Sequence, residues 1–333
     1  MGMNRQAIAL ISGGLDSLLA ARVIMDQGVE VLGVTFTMDA ASRDVAAFGA
    51  EVRGNALSAG IPVRVVDISR DFLNILKYPP HGYGANANPC IDCRILMLQK
   101  ARKIMEAEGA GFVVTGEVLG ERPMSQKRVS LDIIMKYSTL EGLLVRPLSA
   151  KLLAETLPEK EGVIQREELL DISGRSRKRQ YALAKKYGIN RFFAPAGGCL
   201  LTDPMFARRV KDLMKNGAVT AEEIKLLKHG RHFRLTPDTK VVVGRNEEEN
   251  GALMELKKEG DMMLMLTDLP GPSALLRGAI DGDNVKKTAA IVARYYTKGG
   301  DVELTVEGWT DDSDRISFNA VTMDEEELER LRV

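Results

Sequence analysis

The stretch Ser12-Gly13-Gly14-Leu15-Asp16-Ser17 constrains this chain most, because it joins a strand signal to a helix signal through a turn with almost no side chain. Before it, Ala7-Ile8-Ala9-Leu10-Ile11 lacks polar alternation and predicts a strand covered on both faces, as in a parallel sheet flanked by helices. After it, Leu18, Leu19, Ala21, Val23 and Ile24 give a helix over 15–27 an apolar side, with Gly28 as its stop. Gly13 and Gly14 permit a sharp turn and leave bare amides, so an anion can approach an amide nest at the helix N-terminus. Ser12 and Ser17 add hydroxyl donors, and Asp16 can hold a magnesium ion. No Lys follows the glycines, so this is not the phosphate loop that ends in Gly-Lys-Ser/Thr. The reading is a phosphate-binding turn; the plainer alternative is a Gly-Gly turn between any strand and helix.

The rhythm continues beyond the turn. Val29 to Met38, Ile61 to Ile68 and Gly111 to Val118 predict further strands, 42–60 a helix, and Leu143 to Leu148 a short strand leading out of the domain. This βαβα order is that of a doubly wound sheet, whose ligands bind at strand carboxyl ends, so Thr115-Gly116-Glu117 is placed at the site. With 333 residues and 45% hydrophobic content the chain can bury a sizeable core in two or three domains. Lys plus Arg balance Asp plus Glu at 46 each, so any RNA contact has to come from local patches. The N-terminus lacks the order of a signal peptide and no apolar run is long enough to span a bilayer, which predicts a cytoplasmic protein with no membrane partner.

Three cysteines are too few and too odd in number for a disulfide framework. Pro79 to Pro89 is all turn chemistry and delivers Cys90 and Cys93 to a helix start, with Asn88 as a cap and Pro89 in the first turn. Thiols three apart there lie on one side near the positive helix end, which favours thiolate and suits a metal, a cluster or a persulfide; the plain reading is two small apolar residues. Cys199 follows a Gly-rich loop and precedes Asp203-Pro204, a cap and first-turn pair. A closed zinc site would need a fourth ligand from His81, His229 or His232. A relay would have one cysteine carry a persulfide that another resolves.

Between Glu167 and Gly188 a basic helix carries Arg175, Arg177, Lys178, Arg179, Lys185 and Lys186 among Tyr181, Leu183 and Tyr187, which reads either as a footprint for RNA phosphates or as a solvated helix with two core tyrosines. Further on, Phe206, Val210 and Leu213 form a buried stripe and Thr220 opens a capping box. Short strands at 233–235, 240–243 and 301–306, a helix over 284–296 and a Met-rich core run over 262–266 mark a C-terminal module.

The six-residue turn matches the signature of the PP-loop ATP pyrophosphatase superfamily, whose members cleave ATP between the α and β phosphates and adenylate a substrate oxygen. With Asn88-Pro89-Cys90-Ile91-Asp92-Cys93, Val114-Thr115-Gly116-Glu117-Val118-Leu119-Gly120, Ser125-Gln126 and Arg146-Pro147-Leu148, the first half resembles the catalytic domain of tRNA 4-thiouridine synthetases, with tRNA 2-thiouridylases as cousins. The paired cysteines plus a distant third resemble PP-loop thiolation enzymes that hold a [4Fe-4S] cluster by three thiolates. Gly244 to Asn250, Asp261, Pro270-Gly271-Pro272 and Ala293-Arg294-Tyr295-Tyr296 resemble an NFACT-type RNA-binding domain.

The resemblances imply an α/β, HUP-like PP-loop domain with a doubly wound parallel sheet (1–165), a basic helical segment with the third cysteine (166–228), a smaller α+β RNA-binding domain (229–310) and an acidic tail or terminal helix (311–333). They imply an ATP-dependent sulfurtransferase that makes 4-thiouridine or 2-thiouridine in tRNA. Ser12, Gly13, Gly14, Asp16, Ser17, Phe36 and Gly116 would hold ATP, Asp16 would hold Mg2+, and Asp16, Cys90, Cys93 and Cys199 would be catalytic, the cysteines carrying a [4Fe-4S] cluster. Sulfide or a cysteine desulfurase would supply sulfur. The rivals are a PP-loop enzyme acting on a small molecule or another RNA, and a non-catalytic RNA-binding factor.

Overall fold

The computed structural model describes residues 2–194, 199–267, 269–297, 303–311 and 314–333. In chain order the first unit holds β1 (Gln6–Leu10), α1 (Leu15–Met25), β2 (Glu30–Thr37), α2 (Val45–Ser58), β3 (Val63–Asp67), α3 (Ser69–Lys77), α4 (Cys90–Glu108), β4 (Phe112–Thr115), α5 (Arg128–Ser138), β5 (Leu144–Val145), α6 (Leu157–Lys160) and α7 (Lys178–Tyr187). The second holds α8 (Pro204–Asn216), α9 (Ala221–Leu227), β6 (Arg231–Thr236), β7 (Thr239–Val243), α10 (Glu247–Glu255), β8 (Met262–Leu266), β9 (Ala274–Arg277), α11 (Gly282–Thr297), β10 (Glu303–Trp309), β11 (Ile316–Val321) and α12 (Glu325–Leu331). Two compact units divide at Thr202 and Asp203.

In the first unit five parallel strands run β3-β2-β1-β4-β5. Ala7, Ile8 and Ala9 on the central strand are fully buried, as their unbroken apolar run requires. The order reverses between β1 and β4, so the turn after β1 sits at the switch point where a crevice opens. Two local expectations change. Pro89, not Asn88, is the N-cap of α4, and Cys90 is its first residue. The basic helix is shorter than its charge run: α7 begins at Lys178, because the chain from Ile172 to Gly174 is still bound to Leu148 and Leu119 beside the sheet.

In the second unit six strands run β11-β10-β8-β9-β7-β6, and each adjacent pair is antiparallel. The Met-rich strand is core on both sides: Met262, Leu264 and Leu266 pack towards Ala289, Val292 and Ala293 of α11, while Met263 packs with Leu226, Leu253 and Trp309. The acidic stretch at 311–333, expected as a solvated tail or terminal helix, supplies the edge strand β11 and then the terminal helix α12. Its last residues reach the opposite edge, where Arg332 bridges Phe233 and Val333 N donates to His232 O. Leu328 and Ala320 are buried, so apolar contacts outweigh the charge of the stretch. The Gly-rich run at 195–198 and the strand start at 301–302 lie outside the described residues.

Thr220 caps α9 by accepting from Glu223 N, but Glu223 does not complete a capping box. Its carboxylate turns instead to Lys240, to Lys258 Nζ at 3.2 Å and to Arg277 Nη1 at 2.6 Å. Burial favours its proton, yet Lys240 and Arg277 more than offset this and hold it at about 2. A depressed carboxyl stabilises the fold above its unfolded value and loses that contribution as pH falls, here between 4.5 and about 2. Glu223→Gln should therefore lower the stability of the full chain at pH 7 by on the order of 2 kcal/mol and flatten its acid unfolding over that window, read by circular dichroism. An unchanged acid transition would refute the assignment.

Candidate functional site

Gly13 turns the chain with φ of +75°, and Gly14, extended, precedes α1 without any side-chain cap. The first amides of α1 therefore remain for an anion. Ser17 Oγ donates to Gly14 O at 2.8 Å and accepts from Ser12 N at 3.2 Å, so the serines brace the turn. Phe193 N donates to Gly13 O at 2.9 Å, and a Cβ at residue 13 would meet the Phe193 ring at 2.6 Å. Gly116, past the end of β4, backs the same turn: a Cβ there would lie 2.5 Å from Asp16 C and Ser17 N. Phe36, on β2 beside this end of the sheet, is buried at 8% exposure.

Asp16 faces a second carboxylate. Arg177 Nη2 bonds Asp16 Oδ2 at 2.5 Å, while its Nε stands 3.4 Å from Glu121 Oε1. Asp16 Oδ1 is buried without a hydrogen-bond donor. Burial pushes Asp16 up, only partly opposed by Arg177; burial and then the neighbouring Asp16 push Glu121 up. A buried orphan carboxylate oxygen with a second carboxylate beside it fits a divalent cation.

Cys90 and Cys93 lie one turn apart at the start of α4. The segment after Cys199 docks on the loop before them: Ala87 N donates to Leu201 O at 3.3 Å and Asn86 Nδ2 to Thr202 O at 2.7 Å. All three thiols are free and within electrostatic reach of one another. The helix end does not make them thiolates. Burial raises Cys90 against Arg94 and Arg122, lifts Cys93 to about 12, and lifts Cys199 to about 11. His81, a possible fourth zinc ligand, is bound to Asp92 at 2.7 Å, and His232 to His229 O at 2.8 Å. Among the described residues no three His, Cys, Asp or Glu side chains are spaced to grip one ion. A polynuclear cluster asks for wider spacing, and three neighbouring thiols whose burial and mutual repulsion resist ionisation fit the positive charge it would bring. Metal-free reduced protein should thus react with iodoacetamide at pH 7.5 at least about tenfold slower than free cysteine and speed up steadily towards pH 10. Rapid labelling at pH 7.5 would contradict buried, protonated thiols.

Arg94, the residue after Cys93, pairs with Glu117 at 3.2 Å, and Glu117 pairs with buried Arg146 at 2.8 Å. Burial favours protonation of Glu117, but Arg146 and Arg94 together lower it below the ordinary range. Arg122 acts on Asp16 and Glu121 and on Cys90 and Cys199 alike. The structure thus brings Ser12, Gly13, Gly14, Asp16, Ser17 and Gly116 together at one turn and the three cysteines at a neighbouring place. Sequence reasoning missed Glu121, Arg122, Arg94 and the role of Arg177. The charge run places Arg177 among residues read either as an RNA footprint or as a solvated helix face, but its side chain is only 15% exposed and is committed to Asp16. Arg175, Lys178, Arg179, Lys185 and Lys186 remain exposed, and Tyr181 is exposed too rather than core. No helix among the described residues is long and apolar enough to cross a membrane.

Residues 2–151 match the family model described as thiamine biosynthesis protein (ThiI), and residues 230–332 match the one described as NFACT protein RNA binding domain. The chain is 31% identical over 121 residues to the tRNA-specific 2-thiouridylase MnmA of Syntrophotalea carbinolica, covering 34% of each. It is 29% identical over 205 residues to a probable tRNA sulfurtransferase of Caldanaerobacter subterraneus, covering 51% of this chain and 52% of the relative. It therefore spans about a third to a half of the length of these relatives. A solved 4-thiouridine synthetase–RNA complex with bound ATP is similar at 23% identity with a TM-score of 0.36, covering 55% of this chain and 51% of that one. The chain joins a ThiI-type PP-loop domain to an NFACT-type RNA-binding domain.

Proposed function

We propose that the chain is an ATP-dependent tRNA sulfurtransferase that adenylates a uridine carbonyl oxygen and replaces it with sulfur. The observation that carries this reading is the uncapped turn at Gly13 and Gly14 on the switch point of the sheet, in a domain similar to the ThiI family that also docks the segment after Cys199 on the loop before Cys90 and Cys93. The amides after Gly14 hold the phosphates, with Ser12 and Ser17 fixing the turn. The uridine oxygen bonds the α-phosphorus while the bond to the bridging oxygen breaks, and pyrophosphate leaves with the electron pair. A sulfur nucleophile then adds to the activated carbon, and AMP departs with the original oxygen. Asp16 with Glu121 would hold Mg2+, which would supply charge neutralisation on the phosphates. Cys90, Cys93 and Cys199 would hold a [4Fe-4S] cluster, which would supply a site that keeps sulfide nucleophilic, or they would run a relay in which one thiol takes sulfane sulfur by exchange with the persulfide of a cysteine desulfurase, a second thiol resolves it with formation of a disulfide, and a cellular thiol reduces that disulfide. The exposed face of α7 and the C-terminal domain would grip tRNA, leaving base recognition to the catalytic domain.

Incubation with ATP, unmodified tRNA and either sulfide or a persulfide-loaded cysteine desulfurase should release AMP and pyrophosphate only with tRNA present, and mass spectrometry of the nucleosides should then show one thiolated uridine. AMP release without RNA would move a small-molecule substrate to the front. No turnover under any condition would leave the non-catalytic RNA-binding factor.

A further inference from the structure

The loop that leads into the paired cysteines carries aromatic rings on its outer side. Tyr78 at its start is 71% exposed, Tyr83 in its middle 37%, and Tyr137 near the end of α5 46%. Tyr137 meets His81 of the loop edge to face at 4.9 Å, so α5 and the loop share one surface. The rings are held in place: Tyr83 Oη donates to Leu76 O at 2.6 Å, and the ammonium groups of Lys77 and Lys136 stand 5.2 and 5.5 Å from the ring centres of Tyr78 and Tyr137. Exposed apolar side chains scattered singly need no explanation, but three rings around one loop, two of them beside cations, do. The same loop is also a wall of the thiol site. His81 binds Asp92 through its backbone N at 3.0 Å and through Nδ1 at 2.7 Å, and Asp92 lies between Cys90 and Cys93 in the sequence. A Cβ at Gly84 would stand 3.6 Å from Cys90 Sγ. Whatever rests on the tyrosines is therefore held beside the thiols.

Lysine is depleted from protein interfaces, whereas rings with adjacent ammonium groups match unpaired nucleotides, whose bases stack while their phosphates meet the cations. Lys127, Arg128 and Lys136, against Asp132 as the one acidic residue over 127–138, leave α5 and its approach positive. We propose that Tyr78, Tyr83 and Tyr137 form a stacking platform for the unpaired nucleotides that flank the target uridine of the substrate RNA, with Lys77 and Lys136 on their phosphates. This rests on the RNA-modifying reading above. Chemistry at a ring carbon of a base requires that base to leave its stack, and tyrosines that receive its neighbours offset the stacking lost. Such a face selects a loop or junction over a continuous helix, whose bases are already stacked on one another.

The test uses an oligouridylate of about ten nucleotides carrying 5-bromouridine, cross-linked to the full chain by ultraviolet light and mapped by mass spectrometry of the peptides. Cross-links should fall on Tyr78, Tyr83 or Tyr137, and an RNA duplex of the same length should not compete. In the double variant Tyr78→Ala with Tyr137→Ala the remaining cross-link to Tyr83 should drop about tenfold, on the scale of one stacked base, while Tyr78→Phe with Tyr137→Phe should keep it. Lys77→Gln with Lys136→Gln should weaken it and make its salt dependence shallower. A melting curve for each variant checks folding, and the phenylalanine pair keeps the comparison open if the alanine pair fails to fold. Cross-links confined to α7 or the C-terminal domain, or a Tyr83 cross-link that survives the alanine changes, overturn the proposal. So does loss of sulfur uptake from a persulfide-loaded cysteine desulfurase with the cross-links intact, which would make this face a dock for a protein. The measurement needs neither ATP nor sulfur transfer, so a chain that cross-links as expected yet thiolates no tRNA strikes the proposed function and leaves the platform standing.

Discussion

Gly116→Ala should lower ATP affinity on the order of 100-fold and destabilise the catalytic unit by ~3 kcal/mol, although residue 116 offers no side chain to any ligand. The new Cβ would stand 2.5 Å from Asp16 C and Ser17 N and 2.6 Å from Asp16 O, all backbone atoms of the first turn of α1. No flexible side chain is available to yield. Either β4 retreats from β1, breaking the Leu10 and Thr115 register, or the start of α1 shifts and takes the phosphate-facing amides with it. Gly14→Ala is the control, because its Cβ would meet only Ser12 Oγ at an ordinary 3.5 Å. That variant should melt like the unaltered chain and report on phosphate approach alone. ATP titration and thermal melting of both proteins settle the matter; equal melting temperatures and affinities would mean that Gly116 is not the floor of the turn.

What the sequence made legible was local. The apolar run into Gly13 and Gly14 fixes a buried central strand and its turn because strand burial and glycine conformation need only neighbours. The Met-rich run over 262–266 could be read as core because it lacks a polar face. What failed was long-range. The charge run around Arg177 looks the same whether a given arginine faces solvent or a carboxylate 161 positions away, and only the packing of α7 on α1 decides. The acidity of 311–333 hid Ala320, Met323 and Leu328, few in number but placed where they complete a core. The thiols show competition between two real effects: a helix end favours thiolate by at most about 2 kcal/mol, whereas burial lifts Cys93 to about 12.

That competition bears on the largest expected effect. Cys199→Ala should abolish thiolated uridine, a loss of at least about 1,000-fold in sulfur transfer, while leaving the first tRNA-dependent release of pyrophosphate near its normal rate. The two halves rest on different supports: the nucleotide turn on β1, β4 and α1, and the thiols on α4 and the segment docked by Asn86 and Ala87. Removing one sulfur therefore leaves Gly13, Gly14, Ser17 and Asp16 in place. Three thiols that burial keeps protonated are poor nucleophiles alone, so activity requires something that removes their protons. If that is a cluster, anaerobically prepared protein carries about four irons per chain and Cys199→Ala loses most of them together with sulfur transfer. If it is a relay, the unaltered protein is active without iron when a persulfide-loaded cysteine desulfurase is the donor, and the transferred sulfur appears on Cys90, Cys93 or Cys199 as one added sulfur in the mass spectrum. Quantifying pyrophosphate, thiolated nucleoside and iron on the same samples separates these cases, and normal thiolation by the Cys199→Ala protein would remove the third cysteine from the chemistry altogether.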